Sequence, residues 1–251
     1  MNSDQPTWIF LRGLTRESRH WGSFIVQFEQ ALPHNRVIAL DLPGNGLLNQ
    51  QPSPWRVQDM VEDCRAQLQA RNLAPPYRLL AMSLGAMVAV AWAHAHPAEV
   101  AAQVLINTSL RPFSVFYQRL KPRNYVTLLK LTLRDTAPEV WEHTILRMTS
   151  NQATADAVPL WLALRQANPV SRTNVLRQLV AATRFRAAPG RPGTATLLLA
   201  SEQDHLVSVQ CSKTLRRHWQ CDLHIHATAG HDLALDDGLW VAAQVREWLY
   251  P

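Results

Sequence analysis

Cysteine is scarce. The chain has three, Cys64, Cys211 and Cys221, an odd number with no C-x-x-C spacing. That argues against a disulfide framework and against a zinc site, and it fits a reducing cytoplasm, the expected compartment. Long apolar runs are missing as well, so no transmembrane segment is expected. The opening residues, Met1-Asn2-Ser3-Asp4-Gln5-Pro6, lack the basic and apolar regions of a secretory signal. There is no internal repeat and no low-complexity tract. Acidic residues are the minority, 19 Asp and Glu against 25 Lys and Arg. The excess of positive charge is confined to one segment. Residues 110–191 hold 13 Lys and Arg against 4 Asp and Glu, and the remainder is slightly acidic. Such a segment is either a solvated helical surface or an attractor for an anionic substrate, an acidic carrier protein or a membrane surface. The arginines are scattered and accompany no binding motif, so nucleic acid is not an expected partner.

Apolar residues make up 47% of the 251, enough for a full core in one α/β domain with an insertion. Short apolar runs bounded by turn residues read as strands at Thr7–Leu11, Arg36–Leu40, Tyr77–Met82, Val100–Asn107, Thr194–Ala200 and Asp222–His226. Helical spacing links Val57, Met60, Val61, Cys64 and Leu68, then Leu84 to Ala95, then Val241, Val245, Trp248 and Leu249. Strands alternating with helices imply a parallel sheet covered on both faces, with right-handed crossovers. The rhythm breaks between Leu110 and about Pro189, where the pattern is helical throughout. The expected organisation is an α/β core over 1–109 and 190–251, with a helical lid over 110–189.

Three segments carry chemistry. Ala81-Met82-Ser83-Leu84-Gly85-Ala86 follows the third strand and opens a helix of small residues. A serine at a sharp strand-to-helix turn needs small neighbours two before and two after, because those positions approach closely. The helix N-terminus then directs the Leu84 amide towards a developing oxyanion. A serine hydroxyl is a weak nucleophile until a base takes its proton. Among ten histidines, His231 alone lies in the loop after the last strand, where an open α/β sheet puts its site. His224 and His226 lie within that strand and read as packed or surface residues. The fifth strand leads to Ser201-Glu202-Gln203-Asp204, which offers Asp204 as the acid with Glu202 as runner-up. Asp232 would point poorly from beside the histidine.

These segments resemble those of the α/β-hydrolases, in particular small serine esterases of the bacterial type. Ala81-Met82-Ser83-Leu84-Gly85 resembles the G-x-S-x-G nucleophile elbow, with Ala81 in place of the first glycine. Ser201 to Asp204 resembles the family's G-x-x-D segment, with Ser201 in place of glycine. Arg12-Gly13-Leu14 stands where the family usually reads His-Gly. The resemblance implies the order Ser83, Asp204, His231 as catalytic triad. It also implies an oxyanion hole from the amides of Leu14 and Leu84. The alternative acid position, after the fourth strand, reads Asn107-Thr108-Ser109 and holds no carboxylate. Asp41-Leu42-Pro43-Gly44-Asn45-Gly46 resembles a structural turn of the family. The sheet is expected to have six strands, without the amino-terminal hairpin of larger members.

The resemblance implies acyl transfer through Ser83 on a carboxylic ester or thioester, with no metal and no organic cofactor. Candidate substrate contacts are Arg12, Trp21, Trp141, Met148 and Trp161, each of which could equally belong to the core. The basic lid would suit an acidic acyl carrier or CoA. Two other readings stay open. One is a lyase of the same fold that abstracts a proton from an anionic substrate, as menaquinone-pathway enzymes do; Arg12, Arg16 and Arg19 keep it in view. The other is a non-catalytic binding protein.

Overall fold

Six strands, β1 (Thr7–Leu11), β2 (Arg36–Leu40), β3 (Tyr77–Met82), β4 (Val100–Ile106), β5 (Ala195–Ser201) and β6 (Asp222–His226), form one sheet. Their order is β2-β1-β3-β4-β5-β6, and every neighbouring pair is parallel. The computed structural model describes residues 5–133, 136–153 and 157–251. The strands lie within a residue of their expected bounds: β4 stops at Ile106, and β5 runs from Ala195 to Ser201.

Successive side chains on a strand point to opposite faces, so a sheet covered on both sides needs apolar residues at every position. Ile9 and Leu11 of β1 enter one core with Leu79, Ala81, Leu105 and Leu198. Trp8 and Phe10 enter the other with Leu80, Met82, Val104 and Leu197. The helices α2 (Val57–Ala70), α3 (Leu84–Ala95) and α9 (Gln210–Trp219) cover the first face. On the second lie α1 (Phe24–Ala31), the short α10 (Leu233–Asp236) and α11 (Gly238–Leu249). A helix apolar on all sides must be buried on all sides; α3 is buried without a break from Leu84 to Ala93.

Between β4 and β5 stand α4 (Phe116–Arg119), α5 (Tyr125–Leu133), α6 (Pro138–Thr149), α7 (Ala157–Ala167) and α8 (Arg172–Arg184). This helical insertion is fastened to the core by buried polar contacts. Gln178 of α8 accepts from the Thr15 amide at 2.8 Å and donates to Asn45 and Ser53, and Asn174 accepts from the Ser53 amide. Leu146, Val158 and Trp161 form a small core of their own between α6 and α7. Among the described residues, no helix is long and apolar enough to cross a membrane.

The sheet order reverses between β1 and β3, which lie side by side with Leu11 opposite Ala81. In open parallel sheets the crevice at the carboxyl ends of strands, at such a reversal, is where ligands bind. Here the Arg12–Gly13–Leu14 loop and Ser83 leave the sheet together at that point.

Candidate active site

Ser83 joins β3 directly to α3 with φ 53° and ψ −116°. A non-glycine residue in this region is strained by about 1–3 kcal/mol and persists only where its surroundings fix it. The surroundings here are tight. The Ser83 amide donates to Ile106 O at 3.2 Å, and a Cβ on Gly85 would lie 2.4 Å from Leu11 O and 2.6 Å from Arg12 O. Only glycine lets α3 approach the end of β1 this closely, which explains Gly85, and fully buried Ala81 meets the same need two residues before Ser83.

His231 follows β6 in the loop that leads to α10 and is 4% exposed. Its Nδ1 lies 2.7 Å from Oδ2 of Asp204, itself 1% exposed. The other oxygen, Oδ1, accepts from the amides of Leu206 at 2.7 Å and Val207 at 2.9 Å, so the carboxylate is held in one orientation. Glu202, the runner-up acid, faces outward to Lys213. Burial opposes protonation of His231 and is the largest single influence on it. The charge of Asp204, its hydrogen bond and the charge of Asp232 together outweigh burial and hold the His231 pKa above its ordinary value.

Ser83 and His231 line the same cavity, of about 900 Å³, together with Gly13, Leu14 and Leu84. Among the described residues there is no Ser83–His231 hydrogen bond. In sites without substrate that contact is commonly long and tightens on binding. Leu84 is the first residue of α3, so its amide has no helical acceptor. Beside Leu14, the Thr15 amide goes to Gln178 and the Arg16 amide closes a turn on Gly13 O. Among the described residues, no group of three or more His, Cys, Asp or Glu could hold a metal ion.

The remaining candidates divide. Arg12 and Met148 line the cavity. Trp21, Trp141 and Trp161 are buried but are not among its lining residues. Trp21 packs on Phe10 and Phe24, with the Arg12 guanidinium 4.7 Å above its ring. Trp141 lies under Arg165 and Trp161 under Arg16. Arg12 forms a two-pronged pair with Asp232, at 3.1 and 2.5 Å, both residues almost fully buried. Its guanidinium is thus taken up by a carboxylate of the histidine loop. Arg16 pairs with Glu142 of α6 at 2.7 Å, and Arg19 with Glu17 at 2.5 Å. His205 is bonded at Nδ1 to Arg123, away from the triad candidates.

One residue of the site was passed over in the sequence. Asn107, at the end of β4, is buried with φ 45°. Its Nδ2 donates to Ser201 Oγ at 3.0 Å, to Gly230 O at 3.3 Å and to His231 O at 2.8 Å, and its Oδ1 accepts from the Ser201 amide at 2.8 Å. Asn107 thus ties β4 to the end of β5 and to the histidine loop. A polar residue tolerant of left-handed backbone, directly after a central strand, was the available signal. The Asp41 turn has the structural part expected of it. Asp41 accepts from the amides of Ser18 and Leu47, and Gly44 and Gly46 take positive φ.

With this geometry in view, the comparisons are direct. Residues 8–244 match the model of the alpha/beta hydrolase family, and the chain belongs to that family. Among solved structures, it resembles a hydrolase from Pseudomonas aeruginosa PA01 with TM-score 0.79 at 18% identity, over 99% of this chain and 91% of that one. A thermophilic esterase from Thermogutta terrifontis matches with TM-score 0.76 at 20% identity, over 97% and 89%. The 2-hydroxy-6-oxo-6-phenylhexa-2,4-dienoate hydrolase from Rhodococcus sp. strain RHA1 matches with TM-score 0.78 at 16% identity, over 100% and 92%. Likeness at such identities establishes the fold. No curated protein matches the chain in sequence.

Proposed function

We propose that the protein is a serine hydrolase that cleaves a carboxylic ester or thioester through an acyl-enzyme on Ser83. The observation that carries this reading is the buried Asp204–His231 hydrogen bond opening onto the cavity that Ser83 lines. In the reaction, His231 takes the Ser83 proton while Oγ bonds to the acyl carbon. The amides of Leu14 and Leu84 stabilise the oxyanion. Collapse breaks the bond to the leaving alkoxide or thiolate, which receives the proton from His231. Water then attacks the acyl-enzyme, gives its proton to His231 and releases the acid, and the proton returns to Ser83. Asp204 fixes the imidazole orientation through its hydrogen bond to Nδ1.

The helices from α4 to α8 act as the lid, and Met148 belongs to the acyl pocket. A thioester on an acidic acyl carrier or on CoA suits the basic insertion; turnover that falls steeply with salt would support it. Arg12, Arg16 and Arg19, which kept the proton-abstraction reading in view, are each engaged by a carboxylate.

The test is incubation with a fluorophosphonate probe, then intact-mass analysis and peptide mapping of wild type and Ser83→Ala. A single adduct on Ser83, absent from the variant, is expected. Ester turnover by Ser83→Ala at near the wild-type rate, or an adduct on another residue, would refute the assignment.

A further inference from the structure

The cavity carries five arginines in its wall and one carboxylate, Asp232. Arg12 is neutralised by Asp232, and Arg16 by Glu142 behind the wall. That leaves Arg111, Arg119 and Arg186. Among the described residues, none of these three has a carboxylate within 4 Å. They come from separate segments that the fold brings together. Arg111 and Arg186 face each other across an isolated parallel bridge, with the Ala187 amide donating to Arg111 O at 2.8 Å. Arg119 ends α4.

Part of this charge has a structural partner. Arg119 donates to Ala182 O at 2.8 Å and Arg111 to Thr183 O at 3.2 Å, both near the carboxyl end of α8. A helix end offers roughly half a negative charge, too little for three guanidinium groups. Arg119 shows the shortfall: its Nε is buried without any hydrogen-bond partner. Burial first, and the charge of Arg111 second, lower its affinity for the proton. A buried donor with no acceptor is costly unless something fills the place.

Around these cations the cavity is apolar, with Leu14, Met87, Leu128, Met148, Leu179 and Val207 in its wall. We infer that the substrate is an amphiphile: an ester or thioester whose apolar body fills this cavity and whose carboxylate or phosphate is received by Arg111, Arg119 and Arg186. The inference rests on the hydrolase reading above and names the substrate class for that site. Guanidinium groups suit either anion, since both accept paired N–H donors.

The experiment compares pairs of esters that differ by one anionic group. For the carboxylate, p-nitrophenyl octanoate is set against the mono-p-nitrophenyl ester of suberic acid. For the phosphate, a monoacylglycerol is set against the acylglycerol phosphate of the same chain length. In wild type, kcat/KM is expected to favour the charged member of one pair by roughly tenfold or more, through KM, as for charge-assisted bonds. Added salt should shrink the preference, because Arg111 and Arg186 are exposed. Arg119→Gln and Arg186→Gln should each reduce the ratio, and Arg119→Lys should keep most of it. A role confined to capping α8 would move stability and leave the ratio alone. Should Arg119→Gln fail to fold, Arg186→Gln decides. The pair that shows the preference identifies the anion. A Ser83 adduct and turnover of neutral esters, with no preference in either pair, overturn the anion site alone. No adduct and no turnover overturn the hydrolase reading and this inference with it.

Discussion

Asp232→Ala tests the polar framework that holds His231. Asp232 is 3% exposed and pairs with Arg12, 2% exposed, through two hydrogen bonds. In the variant, Arg12 stays buried as a cation, with the face of Trp21 as its remaining neighbour of opposite polarity. Removing one partner of a buried pair costs about 3–5 kcal/mol, since the other charge is left uncompensated. For a chain of this size that corresponds to a fall in Tm of roughly 6–20 °C. Urea unfolding followed by tryptophan fluorescence supplies the free energy, and nine tryptophans give ample signal. The control is Arg12→Met with Asp232→Ala, which removes both charges. Its cost should be smaller than the sum of the single costs by roughly 2 kcal/mol or more. The effect also has a pH signature. Burial alone would raise the Asp232 pKa, but Arg12, with help from Arg16 and His231, holds it below the usual carboxylate range. A depressed acid stabilises above its unfolded pKa and loses that contribution as pH falls through the folded one. The gap between wild type and Asp232→Ala should therefore narrow below about pH 4. A loss under 1 kcal/mol at pH 7, or strictly additive single and double variants, would show that the pair does not hold the loop.

Four further outcomes follow from the same geometry. The kcat/KM profile should lose activity on the acid side with a midpoint above the ordinary histidine value, because His231 must be neutral to act as base; Asp204→Asn, leaving burial dominant, should shift that limb to lower pH and cut the plateau by about four powers of ten. The same raised pKa stabilises the fold below about pH 6.5, a contribution that fades as pH rises through the folded value. Asn107→Ala should cost about 2–4 kcal/mol in urea unfolding, from its lost hydrogen bonds and an alanine forced to positive φ, and should lower kcat by loosening the histidine loop. Gly85→Ala should cost about 3 kcal/mol or more, since its Cβ meets backbone carbonyls of β1 that cannot turn aside; a thermal melt within a degree of wild type would contradict the close approach of α3.

The sequence was most informative where one physical rule acts locally. Apolar runs marked the inner strands because a strand covered on both faces admits few polar residues, as Trp8 to Leu11 and Leu197 to Ala200 illustrate. Ser83 and Gly85 were legible because a strand-to-helix turn needs small residues. His231 and Asp204 were legible because each follows a strand at the carboxyl edge of the sheet. The pairing of charges was hidden. Arg12 and Asp232 lie 220 positions apart, and Arg16 and Glu142 lie 126 apart. No local rule selects one partner among 19 acids for such arginines. The same blindness drew attention to the arginines near the first loop, which are neutralised, and away from Arg111, Arg119 and Arg186. Tryptophan misled for a related reason: helical spacing marks a buried face without saying whether a cavity or a core lies beneath it, and Trp141 faces Arg165 within the insertion while Trp161 faces Arg16 of the loop after β1.

The histidine loop explains why so much of this framework is polar. Residues 227–232 lie between β6, an edge strand, and the single turn of α10, and of them Ala229 alone enters an apolar core. Their position is fixed instead from three directions. Asn107 holds the carbonyls of Gly230 and His231 from the centre of the sheet. Arg12 holds Asp232 from the loop after β1. The end of α6 supplies the third tie: Thr149 O accepts from the Asp232 amide at 2.6 Å, while Asp236 joins the Gly230 amide to Ser150 and Asn151. A Cβ on Gly230 would lie 2.7 Å from Thr149 O, so this contact also demands glycine. The carboxyl end of α6 is therefore part of the structure that orients His231, and not a detachable cover. Displacing it would break the Thr149 and Asp236 bonds and release the imidazole, whereas α4 is tied to the acid loop instead: Gln118 O accepts from the Ser208 amide and Leu206 O from the Lys121 amide, both at 2.8 Å. The two partners of the Asp204–His231 pair are thus held by different parts of the insertion, His231 through the end of α6 and Asp204 through α4 and the residues that follow it.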